Sequence, residues 1–153
     1  RAYGFRTAMR SEEGGADASS QCFVVDSMGE LIEFYAAADV AFVGGSLVPV
    51  GGHNLLEPAA LARPVIVGPQ TFNFAEVTEE LIAAGAAVRI NDGDALGPTV
   101  ARLLSRDADR RSMGDAAQAV MQRERGAVER TMAIVERLLA DADARRAATR
   151  RND

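Results

Sequence analysis

The sequence predicts an α/β fold, a Rossmann-like parallel sheet flanked by helices. Short apolar segments alternate with segments of helical periodicity, which is typical of parallel strands joined by helical crossovers. The strand candidates are continuous apolar runs rather than alternating ones, as expected where helices cover both faces of a sheet. They span residues 5–9, 22–25, 40–43, 65–67 and 86–90.

Helix starts follow these strands in order. After the second strand, Ser27 and Glu30 have the spacing of a capping box, in which each side chain bonds the backbone amide of the other residue. We therefore predict a first helix over residues 28–37. The later helices are predicted over residues 55–61, over residues 74–83 with Asn73 as the N-cap, after Asp92, and from Asp107 toward Arg146.

The last predicted helix carries an apolar stripe, which we interpret as core packing rather than as a groove for a partner. The stripe consists of Val120, Met121, Val128, Met132, Val135, Leu138 and Leu139.

We assign residues 1–140 to one domain and residues 141–153 to a polar, arginine-rich tail. A chain of this length buries enough surface to form a core without a disulfide or a metal.

Composition and charge argue against several classes of function. All 17 basic residues are Arg, which excludes a lysine Schiff base and the lysine of a P-loop. The net charge is −5, and the only stretch with excess arginine, residues 102–153, has no aromatic residue, which argues against nucleic-acid binding. No apolar run is long enough to cross a bilayer. The single cysteine, Cys22, permits no intrachain disulfide and is predicted to be a small core residue.

Two glycine-bearing loops after the third strand predict a ligand site. Gly44-Gly45-Ser46 and Gly51-Gly52-His53-Asn54 expose backbone where a strand leads into a helix, the usual ligand position in parallel sheets. Amides at the start of that helix can hold a phosphate, and Glu57 is suited to accept hydrogen bonds from a ribose diol. His53 has no apparent triad partner, so we assign it a structural or phosphate-neighbour role. The absence of GxGxxG and of GxxxxGK(S/T) disfavours a dinucleotide site and a P-loop.

Four motifs resemble, in order and spacing, the C-terminal half of the Kdo transferases, the 3-deoxy-D-manno-octulosonic acid transferases of lipopolysaccharide biosynthesis. The motifs lie at residues 26–31, 42–47, 51–58, and 68–74. The similarity extends from the first predicted strand to about Leu139.

The resemblance implies the C-terminal half of a GT-B glycosyltransferase, with residues 1–140 as a nucleotide-sugar (CMP-Kdo) binding domain truncated at its N-terminal side. A missing N-terminal domain would hold the lipid A precursor, the membrane-associating surface and the catalytic Glu. The family is inverting and metal-independent, so the resemblance implies no cofactor besides the donor substrate. It also implies a full-length enzyme at the cytoplasmic face of the bacterial inner membrane and an isolated chain without activity.

By matching motif, contacts with the CMP moiety would come from the loops after the second and third strands. Together with the glycine-rich residues, the predicted donor-binding set is Met28, Gly29, Glu30, Gly44, Gly45, Ser46, Gly52, His53, Asn54, Leu55, Leu56 and Glu57. No catalytic residue and no metal ligand is predicted within the chain. The sequence departs from the family at Leu55, where Pro is usual, and at Gln70, where His is usual. Gln70 can form hydrogen bonds but cannot carry a proton.

Two alternatives remain open from the residues. The nearer one is a GT-B transferase that uses a UDP- or GDP-sugar, because a glycine loop and a ribose-binding Glu occur throughout that architecture. The more distant one is a non-enzymatic nucleotide-binding or interaction module whose long C-terminal helix docks a partner. An exposed apolar stripe on that helix would favour the second alternative.

Overall fold

The fold alternates short strands with helices, as the sequence predicts. The computed structural model describes residues 4–12 and 15–149, without the side chains of residues 124, 125, 127–129 and 143–149. Its elements are β1 (Thr7–Met9), β2 (Cys22–Val24), α1 (Leu31–Ala37), β3 (Ala41–Phe42), α2 (Leu56–Ala60), β4 (Val65–Val67), a 3-10 turn (Phe72–Phe74), α3 (Ala75–Ala83), β5 (Ala87–Arg89), α4 (Leu96–Leu104) and α5 (Asp107–Thr149). All five predicted strands are confirmed.

The strands form two parallel sheets rather than one. β1 pairs with β2, with Thr7 opposite Cys22, and β4 lies between β3 and β5, with Val65 opposite Ala41 and Ala87. Both sheets are parallel, as in Rossmann-like folds. Among the described residues, no backbone ladder joins β1 and β2 to the sheet of β3, β4 and β5.

The three-stranded sheet forms the centre of the core. Val65 and Val67 of β4 point to one face, where they pack with residues of α2, α3 and α5. Ile66 points to the opposite face, where it packs against Leu103 of α4. All three strand residues are buried, which confirms that helices cover both faces of this sheet.

The two-stranded sheet is covered differently, and the prediction that Cys22 is a core residue was wrong. Cys22 and Val24 point to the same face of β2 and are exposed, because no described residue covers that face. Phe23 points to the other face, where its ring lies 5.7 Å from the ring of Phe34 in α1. Side chains alternate between the two faces of a strand, so burying one face leaves the other open.

Two predicted caps take another form. α1 begins at Leu31, and the Ser27 hydroxyl donates to the Glu30 carboxylate instead of the two side chains capping backbone amides. The capping box was therefore wrong, although its two residues do contact each other. Asn73 was wrong as an N-cap, since it lies within the 3-10 turn and its side-chain amide donates to the Val50 carbonyl, 3.0 Å away.

α5 is the longest element, with 43 residues and a length of about 64 Å at 1.5 Å per residue. The first turns of α5 pack closely on the rest of the domain, and a Cβ on Gly114 would overlap the carbonyl oxygen of Ala62.

The predicted apolar stripe of α5 is only partly buried. Val120 is buried and Met121 packs against the core, as predicted. Beyond them the prediction of core packing was wrong, because Met132, Val135, Leu138 and Leu139 are 41–61% exposed. The side chain of Val128 lies outside the described part. α5 runs through position 140 without a break, and residues 150–153 of the predicted tail also lie outside the described residues.

Candidate functional site

The loop after β3 is a closed turn built from glycine backbone. The amide of Gly52 donates to the Gly45 carbonyl at 3.1 Å, and the amide of His53 donates to the Gly44 carbonyl at 3.2 Å. Gly45, Gly51 and Gly52 have φ angles of 71°, 97° and 77°, a region that favours glycine. The predicted glycine loops are thus one structure, in which residues 44–45 lie against residues 52–53.

His53 covers one side of this turn. Its imidazole lies so near Gly45 that a Cβ on that glycine would come within 3.2 Å of Nε2. The side chain is otherwise exposed, so the ring presents its remaining edge to solvent beside the glycine backbone. This position fits the predicted structural or phosphate-neighbour role, because a ring fixed on the glycine turn would meet whatever binds there.

Ser46 connects the turn to β4 through a buried hydroxyl. Its Oγ donates to the Val43 carbonyl at 2.6 Å and accepts from the amide of Gly68 at 2.8 Å. The residue is fully buried. Its hydroxyl is therefore occupied by the protein, and the residue as a whole presents no surface to a ligand.

The loop after β4 is joined to the glycine turn by backbone contacts. The amide of Gln70 donates to the Ser46 carbonyl at 2.9 Å, and the amide of Asn73 donates to the Gly51 carbonyl at 3.1 Å. Gly68 has no room for a side chain, since a Cβ there would overlap the Ser46 carbonyl oxygen. The loops after β3 and β4 therefore behave as one unit at the carboxyl edge of the sheet.

The start of α2 brings Asn54 and Glu57 together. Asn54 Oδ1 accepts from the amide of Leu56 at 3.0 Å, and Asn54 Nδ2 donates to Glu57 Oε1 at 3.0 Å. Leu55 is 1% exposed, so its side chain belongs to the core. Because α2 has only five residues and Asn54 occupies the Leu56 amide, this helix start offers less to a phosphate than the sequence suggests.

The loops after β1 and β2 form a second group of polar contacts. Arg10 donates to Glu30 at 2.8 Å, while the backbone amide and hydroxyl of Ser11 donate to Asp26 at 3.0 and 2.5 Å. The Ser27 hydroxyl and the Arg10 guanidinium lower the pKa of Glu30, and the Ser11 hydroxyl lowers the pKa of Asp26. Both carboxylates therefore remain charged at neutral pH. Met28 and Gly29 are exposed between them, with Gly29 at a φ of 87°.

Sequence reasoning missed two side chains beside the predicted site. Arg10, at the end of β1, forms an ion pair with Glu30. Because β1 and β2 are parallel neighbours, the loops that follow them lie at the same edge of the sheet, and this pairing could have indicated the contact. Burial and the negative charge of Glu57 raise the pKa of the Tyr35 phenol in α1. The helical spacing of α1 shows no feature that would have indicated this electrostatic effect.

The loop after β5 lies beside the same unit. A Cβ on Gly93 would stand 4.0 Å from Leu47, and Asp92 accepts from the amide of Ala95 at 3.0 Å. Within the part of the chain that the structure describes, no three His, Cys, Asp or Glu side chains are grouped so that they could hold a metal ion. Across residues 4–12 and 15–149, no helix combines the length and apolarity that a membrane span requires.

Known proteins show sequence similarity to this chain. The family model for glycosyl transferases group 1 matches residues 11–120. The chain is 40% identical over 133 residues to the 3-deoxy-D-manno-octulosonic acid transferase of Haemophilus influenzae, covering 86% of this chain and 31% of that protein. It is 46% identical over 111 residues to the enzyme of that name from Bordetella pertussis, covering 72% of this chain and 26% of that protein. The chain thus spans less than a third of the length of these relatives.

A solved structure shares both fold and sequence. The crystal structure of the C-terminal CMP-Kdo binding domain of WaaA from Acinetobacter baumannii superposes with a TM-score of 0.74 at 38% sequence identity. The match covers 77% of this chain and 62% of that one. These similarities confirm the resemblance drawn from the four motifs, and they confirm the α/β, GT-B-type fold class.

Proposed function

Because the chain belongs to the group 1 glycosyl transferases, and its relatives within them are Kdo transferases, we propose that it is the donor-binding part of a Kdo transferase. In this function it holds CMP-Kdo, from which the whole enzyme transfers Kdo to a lipid A precursor. The structural likeness to a CMP-Kdo binding domain supports the choice of donor.

The observation that carries this proposal is the direct continuation of the glycine turn into Glu57. The half-buried, side-chain-free backbone at Gly44 and Gly45 gives a phosphate close access, while Gly52 is buried behind it and its amide donates to the Gly45 carbonyl. The chain continues through His53 and Asn54 to Glu57, whose half-buried carboxylate suits a ribose diol. A nucleoside monophosphate has these two groups at neighbouring positions.

Most of the predicted residues have a role in this proposal. The phosphate lies against the backbone of the glycine turn and beside His53, while Glu57 receives the ribose hydroxyls. Met28, Gly29 and Glu30 approach CMP from the neighbouring loop. Leu55 and Ser46 are buried as whole residues, 1% and 0% exposed, so they support the site from the core rather than contact the donor.

The chemistry we propose is inverting and needs neither a metal nor a further cofactor. When the bond between Kdo and CMP breaks, negative charge develops on the CMP phosphate. Fixed backbone dipoles stabilise such charge without reorganising, which is the principle of an oxyanion hole. The base that accepts the acceptor's proton belongs to the other half of the enzyme, together with the lipid A precursor and the contact with the membrane. We place the whole enzyme at the cytoplasmic face of the inner membrane.

One observation favours a second role for part of the chain. Met132, Val135 and Leu139 expose an apolar stripe on the outer part of α5, as an interaction module would. This stripe lies on a different element from the glycine turn, so it is compatible with donor binding. A transferase that uses a UDP- or GDP-sugar would differ from the proposed one in the nucleotide base that it binds.

The proposal is tested by calorimetric titration of the full 153-residue chain with CMP, UMP, GMP and NAD. We expect a preference for CMP that Glu57→Ala weakens and that Glu136→Gln, on the exposed outer part of α5, leaves unchanged. A preference for UMP or GMP would favour another sugar-nucleotide donor. A folded chain that binds none of the four would contradict the proposal. We also expect this chain alone to transfer no Kdo, so measurable transfer would show that the catalytic base lies within it.

A further inference from the structure

Asn54 makes two contacts that together fix its side chain. Oδ1 accepts from the Leu56 amide, and Nδ2 donates to Glu57 Oε1, each at 3.0 Å. The two contacts require opposite ends of the side-chain amide, so neither survives if the amide is rotated by half a turn. The backbone amide therefore determines which end of Asn54 faces Glu57.

This arrangement leaves one oxygen of Glu57 available. Oε1 is occupied by Asn54, and among the described residues Glu57 forms no ion pair that would draw Oε2 away. A carboxylate with one oxygen held by a hydrogen bond loses part of its rotational freedom before any ligand arrives. Because preorganisation lowers the entropy cost of binding, the tether favours a ligand that needs Oε2 in this position.

We propose that Asn54 is a positioning residue that holds Glu57 for the ribose of the nucleotide, rather than a residue that contacts the nucleotide itself. The inference rests on the proposed donor-binding function and refines it. The side-chain amide of Asn54 keeps one N–H and one oxygen lone pair, but each of its two polar atoms is already held by a hydrogen bond within the protein. Asn54 therefore affects ribose binding by holding Glu57 in position.

Two substitutions separate the positioning of Glu57 from the hydrogen bond that Asn54 accepts from the Leu56 amide. Asn54→Asp keeps an oxygen that accepts from the Leu56 amide, but it replaces the donor to Glu57 with a second negative charge. Gln118→Glu makes the same change from amide to carboxylate at an exposed position of α5 and serves as the control. Urea unfolding of both variants shows whether the stability that the Leu56 contact contributes is retained.

The ligand readout is the ratio of affinities for CMP and for 2′,3′-dideoxycytidine monophosphate, which lacks both ribose hydroxyls. We expect Asn54→Asp to reduce this ratio by roughly tenfold, as loss of one hydrogen bond to a charged group predicts. Glu57→Ala should reduce the ratio at least as much, and the double variant should equal Glu57→Ala alone. Gln118→Glu should leave the ratio unchanged. The contact itself is read from the NMR signal of the Asn54 side-chain amide, which should shift in Glu57→Ala.

The outcomes distinguish the inference from the function on which it rests. A wild-type chain that shows no nucleotide binding would overturn both. If the wild type binds CMP and Glu57→Ala loses ribose discrimination while Asn54→Asp retains it, the inference fails and the proposed function stands. An Asn54 amide signal that does not respond to Glu57→Ala would overturn the inference whatever the nucleotide affinities show.

Discussion

The imidazole of His53 lies against Gly45, close enough that a Cβ on the glycine would come within 3.2 Å of Nε2. Gly45 has a φ of 71°, so both its backbone conformation and its neighbour require glycine. The single histidine of the chain is thereby fixed on the glycine turn that we assign to the donor phosphate.

Gly45→Ala should therefore destabilise the chain and weaken CMP binding. Alanine in this left-handed conformation costs about 1–2 kcal/mol, and the new methyl group must also displace His53. Gly97→Ala is the matched control, because Gly97 lies in the exposed part of α4 with open space around it. There the same change meets no neighbouring atoms and should alter stability by less than about 0.5 kcal/mol. Urea unfolding measures both, and equal losses would contradict the assigned turn.

The Ser46 hydroxyl should contribute to stability rather than to ligand chemistry. Ser46→Ala leaves the Gly68 amide and the Val43 carbonyl without their partner in a buried site, which should cost about 1–3 kcal/mol. Ser105→Ala removes an exposed hydroxyl that donates to the Arg102 carbonyl and should cost less than about 0.5 kcal/mol. Thermal or chemical unfolding of the two variants checks the difference. Equal losses would show that the buried pair of hydrogen bonds contributes nothing.

The pKa of Asp26 should depend on Ser11. Because hydrogen bonds from Ser11 lower the folded-state pKa, their contribution to stability is present above the ordinary carboxyl pKa. It is lost as the pH falls through the folded-state value. Ser11→Ala should raise the pKa of Asp26 toward its ordinary value in an NMR titration. The pKa of Asp17, which is lowered mainly by Ser19, should respond to Ser19→Ala and not to Ser11→Ala.

The two ends of the helical C-terminal region should differ in their sensitivity to truncation of side chains. Leu103 of α4 is fully buried, and Leu103→Ala should cost about 2–5 kcal/mol. Leu138 on the outer part of α5 is 60% exposed, and Leu138→Ala should change stability by less than about 0.5 kcal/mol. A large loss for Leu138→Ala in dilute solution would mean that another surface covers the stripe.

Sequence reasoning located the strands and the glycine loops because their signals are local. Apolar runs such as residues 65–67 predict buried strands wherever they fall, and paired glycines predict a turn. Caps were less predictable, since Ser27, Glu30 and Asn73 could each bond to several neighbours. Their actual partners depend on which distant segments of the chain fold against them. Arg10 reaches Glu30 across 20 residues, and Asn73 reaches Val50 across 23.

The amino-acid sequence by itself determined the order of strands and helices, the glycine turn and the candidate residues from Gly44 to Glu57, because backbone preference and apolar periodicity act over a few neighbouring residues. Only the tertiary structure decided that Ser46 faces inward, that Asn54 holds Glu57, and that Cys22 and the outer stripe of α5 are exposed. The burial of a residue and its hydrogen-bond partners depend on which other elements pack against it. The neighbouring residues in the sequence do not specify those elements.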